Sequence, residues 1–234
     1  NDIKWVDGAT YSLEMNGSDR AGNKAKAVKL SQISYDINPP VITINKISNN
    51  NYINTNTLSY TLSEKLIKST VIFTQVGGVS DKTSPQSIEL EGKELNEGSF
   101  NDIRLKKGPN LINGSIYDIK MFGVDPAGNE SLEVIISNIT FDNEQPQVSI
   151  SQPLDSEQIK STLISFISNE DLDNGFVIYK QTSGTVDINS PHRIPIKSSN
   201  LSSGVHSDID FGYTSQLADG GRYEVSIEAF DKAG

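Results

Sequence analysis

The side chains with the most chemical potential in this chain head three short loops. GSDRAGNKA, GVDPAGNES and AFDKAG place Asp19, Asp125 and Asp231 at equal intervals, since 125 − 19 and 231 − 125 are both 106. A carboxylate at such a position can accept N–H groups from its own loop. With Gly128 free to take a positive φ and Asn129 tolerant of the left-handed region, the pattern makes a hairpin turn. The same carboxylates could instead share a cation. Acidic residues recur at the same interval elsewhere, as Asp36 with Asp142 and Glu64 with Glu170, and Asn38 matches Glu144. Hard oxygen donors without cysteine or clustered histidine suit Ca²⁺, which takes about six to eight oxygens in flexible geometry. No continuous calcium loop of the helix-loop-helix type is present.

What must hold these residues is a repeated β unit. From Asp36 onward the chain aligns on itself at an offset of 106 without a gap. Matches include Pro40/Pro146, Ile44/Ile150, Val71/Val177, Asp81/Asp187, Pro85/Pro191, Ile88/Ile194, Leu95/Leu201, Gly98/Gly204 and Ile103/Ile209. Within a unit, apolar residues alternate with polar ones, the period of a half-buried strand. The alternation predicts seven strands, around Ile42, Leu58–Leu62, Val71–Phe73, Ile88, Ile103, Tyr117–Met121 and Val134–Phe141. A change of phase between Ile136 and Ile139, and again between Leu30 and Ile33, predicts a β-bulge. No sustained helical period occurs.

Ahead of the sixth strand stand VDGATY, INGSIY and ADGGRY, each with Asp or Asn four residues before a tyrosine. A turn followed by a tyrosine whose hydroxyl reaches back to upstream backbone is the tyrosine corner of immunoglobulin-like sandwiches, so Tyr11, Tyr117 and Tyr223 are predicted corners. The positions two residues later hold Leu13, Ile119 and Val225 instead of cysteine. The expected fold is all-β, tandem immunoglobulin-like β-sandwiches of about seven strands with Greek-key connections. The combined pattern resembles the immunoglobulin-like (Big-type) tandem repeats of large bacterial surface proteins and adhesins, over nearly the whole chain. On that alignment residues 1–36 are the last two strands of a first unit, 37–142 a complete unit, and 143–234 a unit lacking its final strand. Such a unit would leave the edge of its sixth strand to be covered by a longer parent chain or by strand addition. The third unit departs from the pattern where Asn169 replaces Ser63.

In a sandwich of this topology, the start of the first strand and the loops after the second and sixth lie at one end. Asp36, Asn38, Glu64, Asp125 and Asn129 should therefore converge. Their counterparts Asp142, Glu144, Glu170 and Asp231 should do so too, with Asp171 and Asp173 nearby. The resemblance implies calcium at such junctions. The linkers INPP and NEQP carry proline and little slack, so a cation there would stiffen the array.

Composition narrows the functions. A net charge of −10 and a pI near 4.7 argue against nucleic-acid binding, which needs clustered Lys and Arg. The absence of cysteine excludes disulfides and thiol catalysis, and no apolar run approaches the roughly 20 residues of a membrane span. His192 and His206 are expected at the surface or a strand edge, Trp5 beside a tyrosine corner, and QVGGVSD as a turn. Ser190 with His192 does not make a nucleophilic triad. The expectation is a non-enzymatic spacer at the bacterial cell surface, whose partners are neighbouring immunoglobulin-like repeats and a host or cell-surface ligand. Two alternatives are a glycan- or protein-binding module, using TVDINSPHRIP and NEDLDNG as one exposed patch, and an accessory region of a secreted hydrolase.

Overall fold

A computed structural model describes residues 3–106, 108–212 and 216–234. In chain order the strands are β1 Thr10–Met15, β2 Val28–Ser34, β3 Ile42–Asn45, β4 Tyr52–Ile53, β5 Thr57–Leu62, β6 Lys68–Gly78, β7 Gln86–Glu89 and β8 Gly98–Arg104. They continue as β9 Ser115–Val124, β10 Val134–Phe141, β11 Val148–Gln152, β12 Ile164–Ser168, β13 Asn174–Gly184, β14 His192–Pro195, β15 Gly204–Ile209 and β16 Gly221–Phe230. The helical segments described are 3₁₀ turns at Gly92–Leu95 and Ser198–Asn200. Strands β6, β7, β8 and β9 begin 106 residues before β13, β14, β15 and β16, so the repeat in sequence is a repeat in structure. Contacts divide the chain into two compact units, one of residues 1–49, 56–111 and 116–139, the other of 50–55, 112–115 and 140–234.

In the first unit β1 and β2 form an antiparallel hairpin whose register shifts between Tyr11 and Leu13. Gln32, between their partners Leu30 and Ile33, has φ of 61°, which places the predicted bulge. Asn138 has φ of 58° at the matching position of β10. Two sheets make the sandwich, in the orders β3-β5-β8 and β10-β9-β6-β7. Strict alternation carries the packing. Every second residue of β9, Ser115 through Met121 to Gly123, turns inward, and Ile42, Ile44, Leu58 and Tyr60 meet Val71, Phe73, Ile88, Tyr117, Ile119 and Met121 in the core. The first, second and fifth strands on one sheet, with the sixth, seventh, third and fourth on the other, make an immunoglobulin-like sandwich.

The second unit repeats this with sheets β11-β12-β15 and β14-β13-β16 around Ile164, Phe166, Val177, Tyr179, Ile194, Ile196 and Phe211. It also contains β4, a two-residue strand parallel to the end of β10 through Thr140↔Tyr52 and Phe141↔Ile53. Seven strands per repeat left β4 out, because two residues are too short to show a period.

Two expectations are corrected. His192 and His206 do lie on edge strands, β14 and β15, but their side chains are buried, not superficial. His192 shares the inward parity of Ile194 and Ile196, and His206 stacks on Phe166 at 4.6 Å between centroids, as Phe100 stacks on Tyr60. TVDINSPHRIP and NEDLDNG do not form one patch. Residues 185–191 lie beyond the end of β13 far from NEDLDNG, HRIP runs back along β13 until Pro195 pairs with Phe176 next to Gly175, and Leu172, His192 and Ile194 are buried rather than displayed. In the first stretch Val186 and Ile188 point to solvent while Ile194 is core. Trp5 packs against Tyr11 at 4.6 Å as expected, although 44% of it stays exposed.

Candidate functional site

The three loops fold alike. Asp125 Oδ1 accepts the backbone N–H groups of Ala127, Gly128 and Asn129 at 2.8, 2.8 and 2.9 Å, and Oδ2 accepts Asn129 Nδ2 at 2.8 Å. Asp19 accepts from Ala21 N, Asn23 N and Asn23 Nδ2, and Asp231 from Ala233 N and Gly234 N. Gly22, Gly128 and Gly234 all have φ between 90° and 97°, a region open to glycine at little cost. The turn reading is therefore correct in all three loops.

Two of these loops also meet other acids. In the first unit, Asp36 on the segment leaving β2, Glu64 after β5 and Asp125 after β9 bring one carboxylate oxygen each within 4.8 Å of one another. In the second, Asp142, Glu170 and Asp231 do the same from matching positions. Asp125 is fully buried, Asp231 nearly so, and the others are half-buried. Each group ties the segment entering a repeat to two loops of that repeat.

The electrostatics follow from this crowding. Burial raises the Glu64 carboxyl above its ordinary value, and the charges of Asp36, Asp125, Glu97 and Asp7 raise it further. Burial also raises Glu170, with Asp142, Asp231 and Glu144 adding to it against a bond from Asn169. Asp125 behaves differently. Burial pushes it up, yet the bonds from Asn129, Gly128 and Ala127 outweigh that push and hold it below the usual carboxylate value. The first site thus sets a carboxylate committed to its charge, Asp125, beside a glutamate that resists ionisation, and the second repeats the raised glutamate. Bringing in a divalent cation would favour all three charges together.

The remaining predicted ligands have other partners. Asn38 donates its backbone N–H to Asp36 Oδ1 at 3.1 Å and its side-chain amide to Asp7 Oδ2. Asn129 Nδ2 reaches the Asp36 carbonyl at 3.2 Å. Glu144 donates its N–H to Asp142 Oδ1 at 3.3 Å and contributes charge at Glu170. Asp171 accepts from Ser203 N and lies 3.9 Å from Lys232 Nζ, and Asp173 accepts from Asn174 Nδ2. Asn169 does the work of the serine it replaces. Its Oδ1 accepts Gln147 N at 2.7 Å, as Ser63 Oγ accepts Val41 N at 2.8 Å.

Sequence reasoning missed what holds the linkers. Asp7 Oδ1 accepts Ile37 N at 2.9 Å, and Asn113 Oδ1, 106 residues on, accepts Asn143 N at 3.0 Å. These are the Asp and Asn residues that open the tyrosine corners. Two of the predicted corners behave as expected, with Tyr11 and Tyr223 hydroxyls accepting the N–H of Val6 and Ala218 at 2.6 and 2.8 Å. Tyr117 and Tyr223 also donate to Asp81 and Asp187. Ser190 Oγ accepts Gln181 N, and His192 is bonded to Asp187.

No family model matches this chain, and no curated protein matches it. Among solved structures it is similar to the crystal structure of chicken CNTN1 FN1–FN3 domains, with 14% identity and a TM-score of 0.40 over 99% of this chain and 74% of that one.

Proposed function

We propose that this chain is a non-enzymatic spacer of a large extracellular protein of the bacterial cell surface, built from immunoglobulin-like repeats at 1–36, 37–142 and 143–234. In this reading Ca²⁺ at the Asp36–Glu64–Asp125 and Asp142–Glu170–Asp231 groups stiffens the entry to each repeat. Neighbouring repeats, of this or another chain, are its first partners, and a host or cell-surface ligand is engaged elsewhere in the parent protein. The observation that carries the reading is the recurrence of one three-carboxylate arrangement at an interval of 106 residues, each time joining a linker segment to two loops. Hard, flexible oxygen donors fit calcium, and the side chains would supply three of its roughly six to eight ligands, with carbonyls and water as the rest. The cation would neutralise mutual repulsion and cross-link segments already restrained by proline and by Asp7 and Asn113.

Thermal unfolding at matched ionic strength, in millimolar Ca²⁺, in millimolar Mg²⁺ and in chelator, tests this. A ligand that binds the native state alone raises the melting temperature. A rise specific to calcium, lost in the Glu64→Gln, Glu170→Gln double variant, supports the reading. Identical melting in all three conditions returns the loops to the role of turns.

A further inference from the structure

The segment RLKKGPN is the densest run of positive charge in a chain whose net charge is −10. It leaves β8 in the first unit, where Arg104 and Lys106 line an open recess of about 450 Å³, a volume that suits a small molecule. Among the described residues neither forms an ion pair. Asp102, the acid nearest in sequence, is already taken by Lys46 at 2.6 Å. Between the two cations Leu105 turns into the core at 3% exposure, and with the buried Pro109 it supplies an aliphatic floor. Thr57 pairs with Arg104, which brings the neighbouring Asn56 to the recess. A Cβ at Gly108 would fall 2.7 Å from the Leu105 carbonyl oxygen and 2.9 Å from Asn56 Nδ2, so glycine lets the turn close against both. Gln86 fixes Asn110 by accepting its N–H at 2.8 Å and donating to its carbonyl at 3.2 Å. The Asn110 side-chain amide is left uncommitted among the described residues, as is that of Asn56. The second unit has no such cations. Asp210, Phe211 and Gly212 stand at the matching positions, with Phe211 in the core and Asp210 accepting the Gly212 N–H at 2.7 Å.

We propose that this recess binds an acidic sugar of the uronic-acid type, its carboxylate held by Arg104 and Lys106 and its hydroxyls by Asn56 and Asn110. A guanidinium presents a planar fork that matches a carboxylate, and the bonds it makes are charge-assisted. An amide both donates and accepts, as a sugar hydroxyl does. The aliphatic floor of Leu105 and Pro109 takes the C–H face of the ring. Repulsion from the rest of an acidic chain does not prevent this, because exposed charges more than about 8 Å away are largely screened at physiological ionic strength. The two uncommitted cations at contact distance decide the sign. The recess shares no residue with either carboxylate group, so this inference does not rest on the calcium reading. It adds to the spacer a contact of its own with an acidic glycan.

NMR titration of the whole isotope-labelled chain with glucuronate, glucose and acetate tests the site, in calcium-free buffer at about 0.15 M salt. Glucuronate should shift the amides of Asn56, Arg104, Lys106 and Asn110 saturably, and leave Asp210 and Gly212 unmoved. Glucose lacks the charge and acetate the ring, so each should bind about tenfold more weakly or less. The Arg104→Gln, Lys106→Gln double variant changes two exposed side chains and should keep the native spectrum while losing at least about tenfold in affinity for glucuronate. No saturable shift with glucuronate would overturn the proposal, as would unchanged affinity in the double variant. Glucose binding as tightly as glucuronate would remove the role of the cations, and acetate doing so would remove that of the sugar; either result overturns the assignment. So would shifts that appear only when calcium is added, since the acid would then be held by the metal.

Discussion

Glu64 and Asp125 hold carboxylate oxygens within 4.8 Å of each other and of Asp36, and among the described residues none of the three forms an ion pair. The pair is asymmetric. Asp125 is bound by its own loop and stays charged, so Glu64 takes the repulsion.

That asymmetry has a pH signature. Glu64 and Glu170 have raised values in the folded state, so the fold binds a proton more readily than the unfolded chain does. Stability is therefore lowest above the folded value and rises as pH falls through it toward the unfolded value. Cation-free protein should melt at higher temperature at pH 5 than at pH 7, and calcium should flatten the difference by competing with the proton. Melting curves at pH 7, 6 and 5, with and without calcium, check this; a melting temperature that falls steadily with acidification in cation-free protein contradicts it.

Substitutions should separate the turn from the cation site. Glu64→Gln removes charge and leaves the loop intact. In chelator it should stabilise slightly, by less than about 1 kcal/mol for a half-exposed group, and in calcium it should lose the calcium-dependent gain. Asp125→Ala instead strips a buried acceptor from three N–H groups of its loop and should cost about 1–3 kcal/mol in either condition. Denaturant titrations of both variants distinguish the cases. Equal losses in chelator would mean that Glu64 is as structural as Asp125.

Much of this was legible in the chain. The 106-residue interval, the alternation of Leu58, Tyr60 and Leu62, and the DPAGN turn are local patterns, and the strands and loops follow them. The burial of His192 was also readable, since HRIP and the Ile196 beyond it share one parity. What escaped was non-local. The Asp7 to Ile37 bond spans 30 residues and depends on how two segments meet. The bond from Tyr117 to Asp81 joins positions 36 apart, one on β9 and the other in the loop from β6 to β7. Neither leaves a period to detect, and the two-residue β4 is set by the edge of β10 rather than by its own pattern.

Tyr117→Phe isolates the bond from Tyr117 to Asp81 in the first unit. It keeps the ring in the core and removes a hydroxyl bonded at 3.0 Å to a buried carboxylate, at an expected cost of about 1–3 kcal/mol. The loss should not depend on calcium, because Asp81 belongs to neither carboxylate group. Urea unfolding in both conditions measures it. A calcium-dependent loss would place Asp81 under the influence of the cation sites.

The linker bonds yield the last prediction. Asp7 and Asn113 each open a tyrosine corner and each accept the N–H of the residue that follows a carboxylate ligand, Ile37 after Asp36 and Asn143 after Asp142. They tether the residue that follows each ligand, so they limit how far Asp36 and Asp142 can move from their partners. Asn113→Ala should free the Asn143 amide, seen as faster exchange at that residue. It should also weaken calcium binding at the second group by several-fold, because Asp142 must then be ordered at the moment of binding. The first group, with Asp7 untouched, serves as control in the same molecule. Calorimetry of calcium binding with Asn113→Ala, and then with Asp7→Ala, should lower the affinity of one group at a time. If both variants bind calcium as the native chain does, Asp7 and Asn113 restrain the linker without preparing the site.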